Sequence, residues 1–368
     1  MCVIAGYTGN RQAAPILIEM LRKEQFFDGG LSTGIATIHE GKLYTAKVLG
    51  DVDTLLRTTD ALNFPGTTGI MHSRPSGNLQ SHAHPFTNPE EDLAVVLNGT
   101  LRGVGIPEFH AECNRIMGEF YEKGVPIKTA CAPSSKGITE RLLPNGQSYH
   151  FSESFALMIG ESTADSGPET IQKDLANAMV DALSRLPADI VVLSVSAKAE
   201  GVITAGTISR PMNVGFGDGE MYLATSAMAF PEDVQQRPVV PMPPTTVLQV
   251  TPEGMQMYTT TIPGVRVQQI DYGVAAAFRQ RIESMLKGKA DAPLSIYDIP
   301  SYKQWRDIWQ EPLVDCRFCK EGDMLKPNAA AVYETLWSLH KEGKLHSMQG
   351  TYKFSGDKES AMTRFWID

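Results

Sequence analysis

The chain has 368 residues, of which 42% are hydrophobic and 20% are charged, and its net charge is −9. This length suits one large domain plus a smaller one, and the composition is typical of a globular protein. The acidic balance argues against broad binding to nucleic acids or anionic membranes and favours a small substrate. We find no secretory leader and no run of about 18 apolar residues. Five cysteines do not indicate a disulfide framework, so we expect a cytoplasmic protein.

The amino-terminal stretch places Cys2 directly before a short apolar strand, residues 3–5. Methionine aminopeptidase removes an initiating Met when the next side chain is small, so Cys2 would become the amino terminus. A terminal Cys carries a thiol and an α-amine whose unperturbed pKa is roughly 7.7–8.0. One residue can therefore supply both nucleophile and general base. The alternative is that a Cys stands second by chance.

Hydrophobic periodicity predicts strands, then helices, then strands again up to about residue 270. The predicted elements are a helix at 11–27, strands at 34–38 and 42–48, a helix at 51–61, strands at 69–74 and 93–97, a helix at 106–124, two helices within 153–186, and strands at 189–195, 201–205, 212–216, 221–226, 246–250 and 254–259. This order indicates a sandwich of two sheets between helical layers.

The pattern changes after about residue 270. The predicted elements there are helices at 272–288, 301–310 and 328–341, then short strands at 344–348 and 352–354 around Gln349 and Gly350. Helix followed by a two-stranded wing is the outline of a winged-helix unit. We therefore predict two domains, residues 2–270 and an α-helical, winged-helix-like domain of residues 271–368. The latter carries few basic residues, which favours packing or protein contacts over DNA binding.

Four segments occur in compact order: residues 2–9 (Cys-Val-Ile-Ala-Gly-Tyr-Thr-Gly), 69–74 (Gly-Ile-Met-His-Ser-Arg), 81–86 (Ser-His-Ala-His-Pro-Phe) and 93–100 (Leu-Ala-Val-Val-Leu-Asn-Gly-Thr). This succession resembles the class II glutamine amidotransferases, particularly the glutaminase domain of glucosamine-6-phosphate synthase, and it continues through residues 215–226. The resemblance covers roughly residues 2–265. It implies an α+β fold, a four-layer αββα sandwich of the N-terminal-nucleophile hydrolase type. It also implies glutamine hydrolysis without a metal or organic cofactor.

The predicted catalytic residues are Cys2, Asn98 and Gly99. Amide hydrolysis at a thiol needs donors for the oxyanion of the tetrahedral intermediate. Asn98 supplies a side-chain amide and Gly99 a backbone N–H at the end of a buried strand. Asn-Gly alone would more often be a turn, but Cys2 upstream favours the catalytic interpretation.

The predicted substrate-binding residues are Arg74, Glu153, His72 and Ser73. Arg74 stands where the family places an arginine on the glutamine α-carboxylate, which a guanidinium binds through two hydrogen bonds; the alternative is an ordinary salt bridge. The segment around Glu153 resembles the one that supplies an acidic acceptor for the α-amine, here with a longer arm than the usual Asp. In this family such histidines shape the pocket and do not act as the base.

Three departures from the family pattern affect the predicted activity. After Arg74 the chain reads Pro-Ser-Gly, two residues shorter than the family's Trp-Ala-Thr-His-Gly. Residues 28–34 follow the family's Arg-Gly-Tyr-Asp-Ser-Ala-Gly only loosely. The residues after 270 are too few for the two sugar-isomerase domains. Nascent ammonia must therefore pass to a partner, to solvent or nowhere.

Three functions remain open from the sequence. The first is a glutaminase that acts on glutamine and supplies an ammonia-accepting synthase subunit. The second is an N-terminal-Cys hydrolase of another amide, of the conjugated-bile-acid or penicillin acylase type. The third is a catalytically silent regulatory or scaffold subunit. We expect no nucleic-acid or membrane partner, and homo-oligomerisation is left open.

A Cys-x-x-Cys motif, Cys316 and Cys319, precedes His340 and His346 and raises the alternative of a zinc site. The gap of about twenty residues and the helical setting of His340 fit such a site poorly. We predict loop cysteines and no metal.

Overall fold

The computed structural model describes residues 2–75, 79–100, 107–133, 141–267, 272–299, 308, 314–316, 318, 328–353 and 359–368. The helices are α1 (Ala13–Asp28), α2 (Val52–Thr58), α3 (Pro107–Glu122), α4 (Glu153–Ser162), α5 (Ile171–Arg185), α6 (Glu232–Gln235), α7 (Tyr272–Leu286) and α8 (Asn328–Lys341). The strands are β1 (Val3–Thr8), β2 (Ser32–His39), β3 (Lys42–Val48), β4 (Thr68–Arg74), β5 (Phe86–Thr87), β6 (Leu93–Thr100), β7 (Asp189–Ser196), β8 (Ile203–Thr207), β9 (Asn213–Phe216), β10 (Met221–Ala224), β11 (Val239–Pro241), β12 (Val247–Thr251), β13 (Gly254–Thr259), β14 (Val265–Val267), β15 (Val314–Cys316), β16 (His346–Lys353) and β17 (Glu359–Trp366).

Two large sheets form the centre of the molecule. One has seven strands in the order β11-β9-β10-β1-β4-β2-β3, and the other has six in the order β13-β12-β8-β7-β6-β5. β1 lies between β10 and β4 and is buried at every position, so both of its faces are covered. The strand that follows Cys2 is thus one of the best-anchored elements of the fold.

Three hydrophobic clusters separate four layers. One lies between the sheets and contains Ile4 and Val96. A second packs α1 and α8 on the outer face of the seven-stranded sheet, and the third packs α3, α4 and α5 on the outer face of the six-stranded sheet. This arrangement confirms the predicted αββα sandwich. Within the described ranges, no helix combines the length and apolar character needed to cross a membrane.

Strand alternation determines which side chains face the gap between the sheets. In β1, Ile4 belongs to the inner cluster, whereas Val3 and Ala5 pack towards the helices. The same period places Ile70 of β4 and Val96 of β6 in the inner cluster. Even-numbered residues at the ends of these three strands therefore face the gap between the sheets.

The carboxy-terminal elements pack on α1. Phe27 of α1 lies 5.4 Å from the ring of Phe365 in β17 and 6.4 Å from the ring of Tyr333 in α8, measured between centroids. Tyr333, Leu336 and Phe365 share a hydrophobic cluster with residues of β1 and α1. The domain boundary near residue 270 stays a prediction, and this cluster includes residues from both sides of it.

The predicted turn at Gln349 and Gly350 is wrong. β16 runs through both residues and pairs with β17, with Gly350 opposite Met362. A Cβ on Gly350 would lie 2.9 Å from the Arg364 side chain, so this glycine admits a crossing side chain and does not mark a turn. The helix predicted at 301–310 lies outside the described residues except for position 308.

A buried carboxylate ties the end of β1 to the turn before β10. Glu220 accepts hydrogen bonds from Tyr7 Oη at 2.7 Å, Tyr222 Oη at 2.6 Å and Arg11 Nε at 2.6 Å. Burial alone would raise the pKa of Glu220, but the hydrogen bonds from Arg11, Tyr222 and Tyr7 lower it to about 2. The folded state therefore favours the ionised carboxylate.

Glu220→Gln should lower the free energy of unfolding at neutral pH by about 2 kcal/mol. Because the folded-state pKa is depressed, this contribution is present above the ordinary value of 4.5 and is lost as the pH falls towards 2. Urea denaturation of wild type and variant between pH 7 and pH 3 measures it. Asp218→Asn, which removes the exposed partner of Arg237, should behave like wild type. A difference that persists unchanged at pH 3 would contradict the assignment.

Candidate active site

Cys2 and Asn98 are joined by two hydrogen bonds across the gap between the sheets. The Cys2 backbone nitrogen donates to Asn98 Oδ1 at 3.0 Å, and Asn98 Nδ2 donates to the Cys2 carbonyl at 2.5 Å. Only this orientation of the amide gives both bonds the correct polarity. Both residues occupy even-numbered positions, whose side chains face the gap between the sheets. The structure thus brings together two of the three predicted catalytic residues.

Gly99 lies in β6, which continues through Thr100 and pairs Gly99 with Ile190 of β7. The interpretation of Asn-Gly as a turn is therefore wrong. A Cβ on Gly99 would lie 2.2 Å from Ile190 Cγ2 and 2.8 Å from the Asp189 carbonyl oxygen. Glycine is required here because β7 approaches the backbone of β6 closely. This close approach fixes the position of the backbone that follows Asn98.

The Cys2 thiol lies in a partly desolvated position among charged groups. Burial raises its pKa above the ordinary value, while the amino-terminal charge, Arg74 and Arg210 act in the opposite direction and Asp28 adds to the increase. The net shift is upward, so the resting group is the thiol. A nucleophilic role therefore requires a nearby base.

Arg74 ends β4 beside a group of histidines. Its Nη1 donates to the His82 carbonyl at 3.2 Å and lies 2.9 Å from His150 Nε2. Burial, followed by the Arg74 charge, holds the pKa of His150 well below its usual range. His150 is therefore neutral and adds no positive charge beside the guanidinium.

His72 is fully buried and stacks on His84, with ring centroids 3.8 Å apart. Burial lowers the pKa of both rings well below the ordinary value, and the Arg74 charge adds to this in each case. The position of His72 in β4 directs its side chain towards the gap between the sheets, where the ring is completely buried. This position agrees with a histidine that shapes the pocket.

The Ser73 side chain lies on the other face of β4 from His72 and Arg74, towards α1. Its hydroxyl accepts from the Gly30 N–H at 2.8 Å and lies 3.1 Å from Thr33 Oγ1. Ser73 therefore holds the turn between α1 and β2, and its predicted contact with a substrate stays a prediction. The alternation of β4, which sends residues 72 and 74 to one face and 73 to the other, is the physical reason that Ser73 faces α1.

Glu153 is also used by the chain itself. Its Oε1 accepts from Lys128 N at 2.6 Å, and its Oε2 accepts from Thr129 N at 3.0 Å and from Thr129 Oγ1 at 2.5 Å. Thr129 in turn accepts from the His150 N–H at 2.8 Å and its carbonyl lies 2.9 Å from His82 Nε2. Glu153 therefore braces the loop behind the histidines, because both of its oxygens already have partners. Its predicted role as the acceptor for the α-amine of a substrate stays a prediction.

Two contacts of residues whose charges act on the Cys2 thiol were not predicted. Arg210 Nη2 forms a buried ion pair with Asp189 Oδ2 at 2.6 Å. Asp28, which stands where the resembling family has the first Arg of its motif, accepts a hydrogen bond from Tyr297. Only the substitution at Asp28 is visible in the sequence. The contacts themselves depend on residues far apart in the chain.

No group of three or more metal-binding side chains occurs in the part of the chain that the structure describes. His340 stacks on Trp337, and His346 stacks on Trp366 and lies 3.2 Å from Asp368 Oδ2. The Cys316 side chain and Cys319 lie outside the described residues.

The four-layer sandwich is similar to the N-terminal-nucleophile fold of glutamine amidotransferases, and comparison with solved structures agrees. The glutamine phosphoribosylpyrophosphate amidotransferase from B. subtilis, complexed with ADP and GMP, superimposes with a TM-score of 0.52 at 18% identity, over 76% of this chain and 52% of that chain. A structure described as the allosteric regulatory enzyme of purine biosynthesis gives 0.53 at 18% identity, over 77% and 58%. These likenesses establish the fold.

Sequence comparison narrows the class to a particular group of relatives. Glutamine–fructose-6-phosphate aminotransferase (isomerizing) of Tropheryma whipplei strain Twist is 28% identical over 243 residues, which are 64% of this chain and 34% of that protein. The Streptomyces coelicolor protein of the same name is 26% identical over 305 residues, 81% and 44%. No family model matches the chain. The chain is thus homologous to class II glutamine amidotransferases, as its motifs predict, and it matches less than half the length of these relatives.

Gly99→Ala should destabilise the fold by about 1–3 kcal/mol, because the added methyl group overlaps Ile190 and the Asp189 carbonyl. Chemical denaturation measures the change. Gly118→Ala in α3 is the matched control, since its Cβ would lie 3.8 Å from the nearest contact, Pro144 Cγ. That variant should be neutral or more stable by about 0.5–1 kcal/mol. Equal stability of the two variants would contradict the packing argument.

Proposed function

We propose that this protein is a glutaminase of the class II amidotransferase type, which hydrolyses the glutamine side-chain amide through a thioester on Cys2. The observation that carries the proposal is the double hydrogen bond between Cys2 and Asn98 at the meeting point of the two sheets. If Cys2 is the nucleophile, these two bonds give Asn98 a clear role, because they fix the backbone that carries the thiol.

Removal of Met1 would turn the Cys2 nitrogen into an α-amine at the position where it now donates to Asn98 Oδ1. An amine with an ordinary pKa of roughly 7.7–8.0 is partly unprotonated near neutral pH and suits a general base. Through a water molecule it takes the proton of the Cys2 thiol. Such a base is needed because burial raises the pKa of that thiol.

The thiolate then attacks the carboxamide carbon of glutamine. Asn98 Nδ2 and the Gly99 N–H are the proposed donors to the oxyanion, a contribution worth on the order of 10²–10³ in rate for one donor. The carbon–nitrogen bond breaks, the amine returns its proton to the departing nitrogen, and ammonia leaves. Water then resolves the thioester to glutamate and the free thiol.

Arg74 is the proposed ligand of the glutamine α-carboxylate. It is half-buried at the end of β4, and its neighbours His82 and His150 hold the guanidinium in place. Because burial lowers the pKa of both histidines, neither carries a charge that would compete for the carboxylate. The site therefore keeps its positive charge on the residue best shaped to bind a carboxylate.

The ammonia is proposed to pass to an acceptor on a partner subunit in the cytoplasm. The relatives are named aminotransferases, and the matched part is 34% to 44% of their length.

Cys2→Ala should abolish ammonia release from glutamine, with a loss of at least about 10³-fold, since it removes the nucleophile. Intact mass spectrometry with a glutamine-mimicking diazoketone should show loss of Met1 and one adduct on the wild type, and none on the variant. Cys131→Ser is the matched control, because Cys131 is half-buried with its sulfur 3.7 Å from His82 Nε2. Deamidation by Cys2→Ala at the wild-type rate would exclude the mechanism.

Arg74→Lys should raise KM for glutamine by roughly 10–100-fold with a smaller change in kcat, because lysine cannot form the two parallel bonds to the α-carboxylate. Steady-state ammonia release measures both constants. An amide without an α-carboxylate serves as the comparison and should be hydrolysed equally by wild type and variant. A preference of the wild type for that amide over glutamine would instead support the non-glutamine hydrolase.

A further inference from the structure

A cavity of about 420 Å³ lies between the sandwich and the carboxy-terminal helices. One wall consists of Ser209, Arg210 and the segment Pro241 to Pro244, and the other consists of α7 and α8. This volume is in the range of small-molecule sites, roughly 300–1,000 Å³, which often form where two units of a protein meet. Cys2 is not among its lining residues, so it is distinct from the active site.

The cavity walls are mainly apolar. Met242 and three prolines contribute from the sandwich, and Phe278 of α7 and Ala331 of α8 contribute from the opposite side. Proline and alanine lose little side-chain entropy when they become ordered. Such a surface suits the apolar body of a small organic molecule.

Two guanidinium groups line the cavity, and both are already paired. Arg210 Nη2 pairs with the Asp189 carboxylate at 2.6 Å, and its Nε donates to the Asp189 backbone carbonyl at 3.2 Å. Arg279 donates to Glu283 at 2.9 Å and to Glu342 at 2.7 Å. Both are therefore poorly available to an anionic ligand.

Glu334 is the one acidic residue among the described lining side chains. It is half-buried, and burial raises its pKa while a hydrogen bond with Asn213 acts against this. A carboxyl group in an apolar cavity gains most from a cation that arrives with the ligand, because the pair then forms out of water with the Asn213 amide in place.

We propose that this cavity binds a small primary amine with an apolar body, whose ammonium group pairs with Glu334. The site uses the apolar walls for affinity and the single carboxyl group for selectivity. Neutral ligands of the same shape lack the ion pair, and anionic ones face Glu334 without a free guanidinium.

Helix α8 lines the cavity on one side and packs against α1 on another. Tyr333, the neighbour of Glu334, is fully buried towards α1, and its hydroxyl has no hydrogen-bond partner among the described residues. Burial raises the pKa of that hydroxyl, and the charge of Asp28, which also acts on the Cys2 thiol, adds to the increase. A ligand that shifts α8 would therefore change the surroundings of Cys2. This proposed effect on Cys2 rests on the proposed function, whereas the binding of the amine does not.

Isothermal titration calorimetry of the full chain at neutral pH tests the binding, with 2-phenylethylamine, 2-phenylethanol and phenylacetate as probes and no glutamine present. The amine should bind more tightly than the alcohol or the acid, and Glu334→Gln should weaken it by at least roughly tenfold. Glu161→Gln, on α4 beside Lys123, is the control and should bind like wild type. Thermal unfolding checks that each variant is folded.

Binding of the amine no tighter than the alcohol, equal binding by Glu334→Gln, or no heat at amine concentrations up to about 10 mM would overturn the proposal. Ala331→Trp, which fills the cavity, should abolish binding of all three probes, and retained binding would place the ligand elsewhere. The rate of Cys2 alkylation by iodoacetamide should change when the amine is added. An unchanged rate with intact binding would refute the coupling through α8 and leave the glutaminase proposal untouched.

Discussion

The hydrogen bonds between Asn98 and Cys2 join the two sheets at the point where the chain begins. A residue at a chain terminus is normally mobile unless it is tied down. Here the amide of β6 fixes both the nitrogen and the carbonyl of Cys2, and β6 is itself fixed by its register with β7. The position of the thiol therefore depends on the spacing of the sheets, which the inner cluster around Ile4 and Val96 maintains.

The charges around the thiol are arranged so that none of them alone produces a thiolate. Arg210 is near Cys2 but is paired with Asp189, and Asp28 is near Cys2 but accepts from Tyr297. Desolvation then decides the direction of the pKa shift and keeps the sulfur protonated at rest. A thiol of this kind resists unwanted oxidation and alkylation, since the thiolate is the reactive form. It reacts only when a base beside it takes the proton; in the proposed mechanism that base is the Cys2 nitrogen once Met1 has been removed.

Local patterns were sufficient to predict the layers of the fold and the residues that meet at its centre. Residues 3–5 form a continuous apolar run, α8 has helical apolar spacing, and the order of the motifs assigned Cys2 and Asn98 to one site. Side chains alternate between the two faces of β4, so Ser73 and Arg74 lie on opposite faces. This alternation can be read from the sequence, but the motif resemblance assigned both residues to the substrate site. The partners of Glu153 lie about 25 residues away in the loop at Lys128 and Thr129, and no local signal reports such a contact.

The carboxy-terminal helices belong to the packing of the sandwich, and this constrains their role. Tyr333 and Leu336 of α8 share a cluster with Phe27 of α1 and with Val3 and Ala5 of β1. An interface that is both large and hydrophobic moves as one body with its partner, unlike the polar contacts between loosely joined domains. A change of sequence pattern near residue 270 therefore does not by itself make an independent unit. β1 begins directly after Cys2, so α8 packs in the same hydrophobic cluster as the strand that anchors this residue.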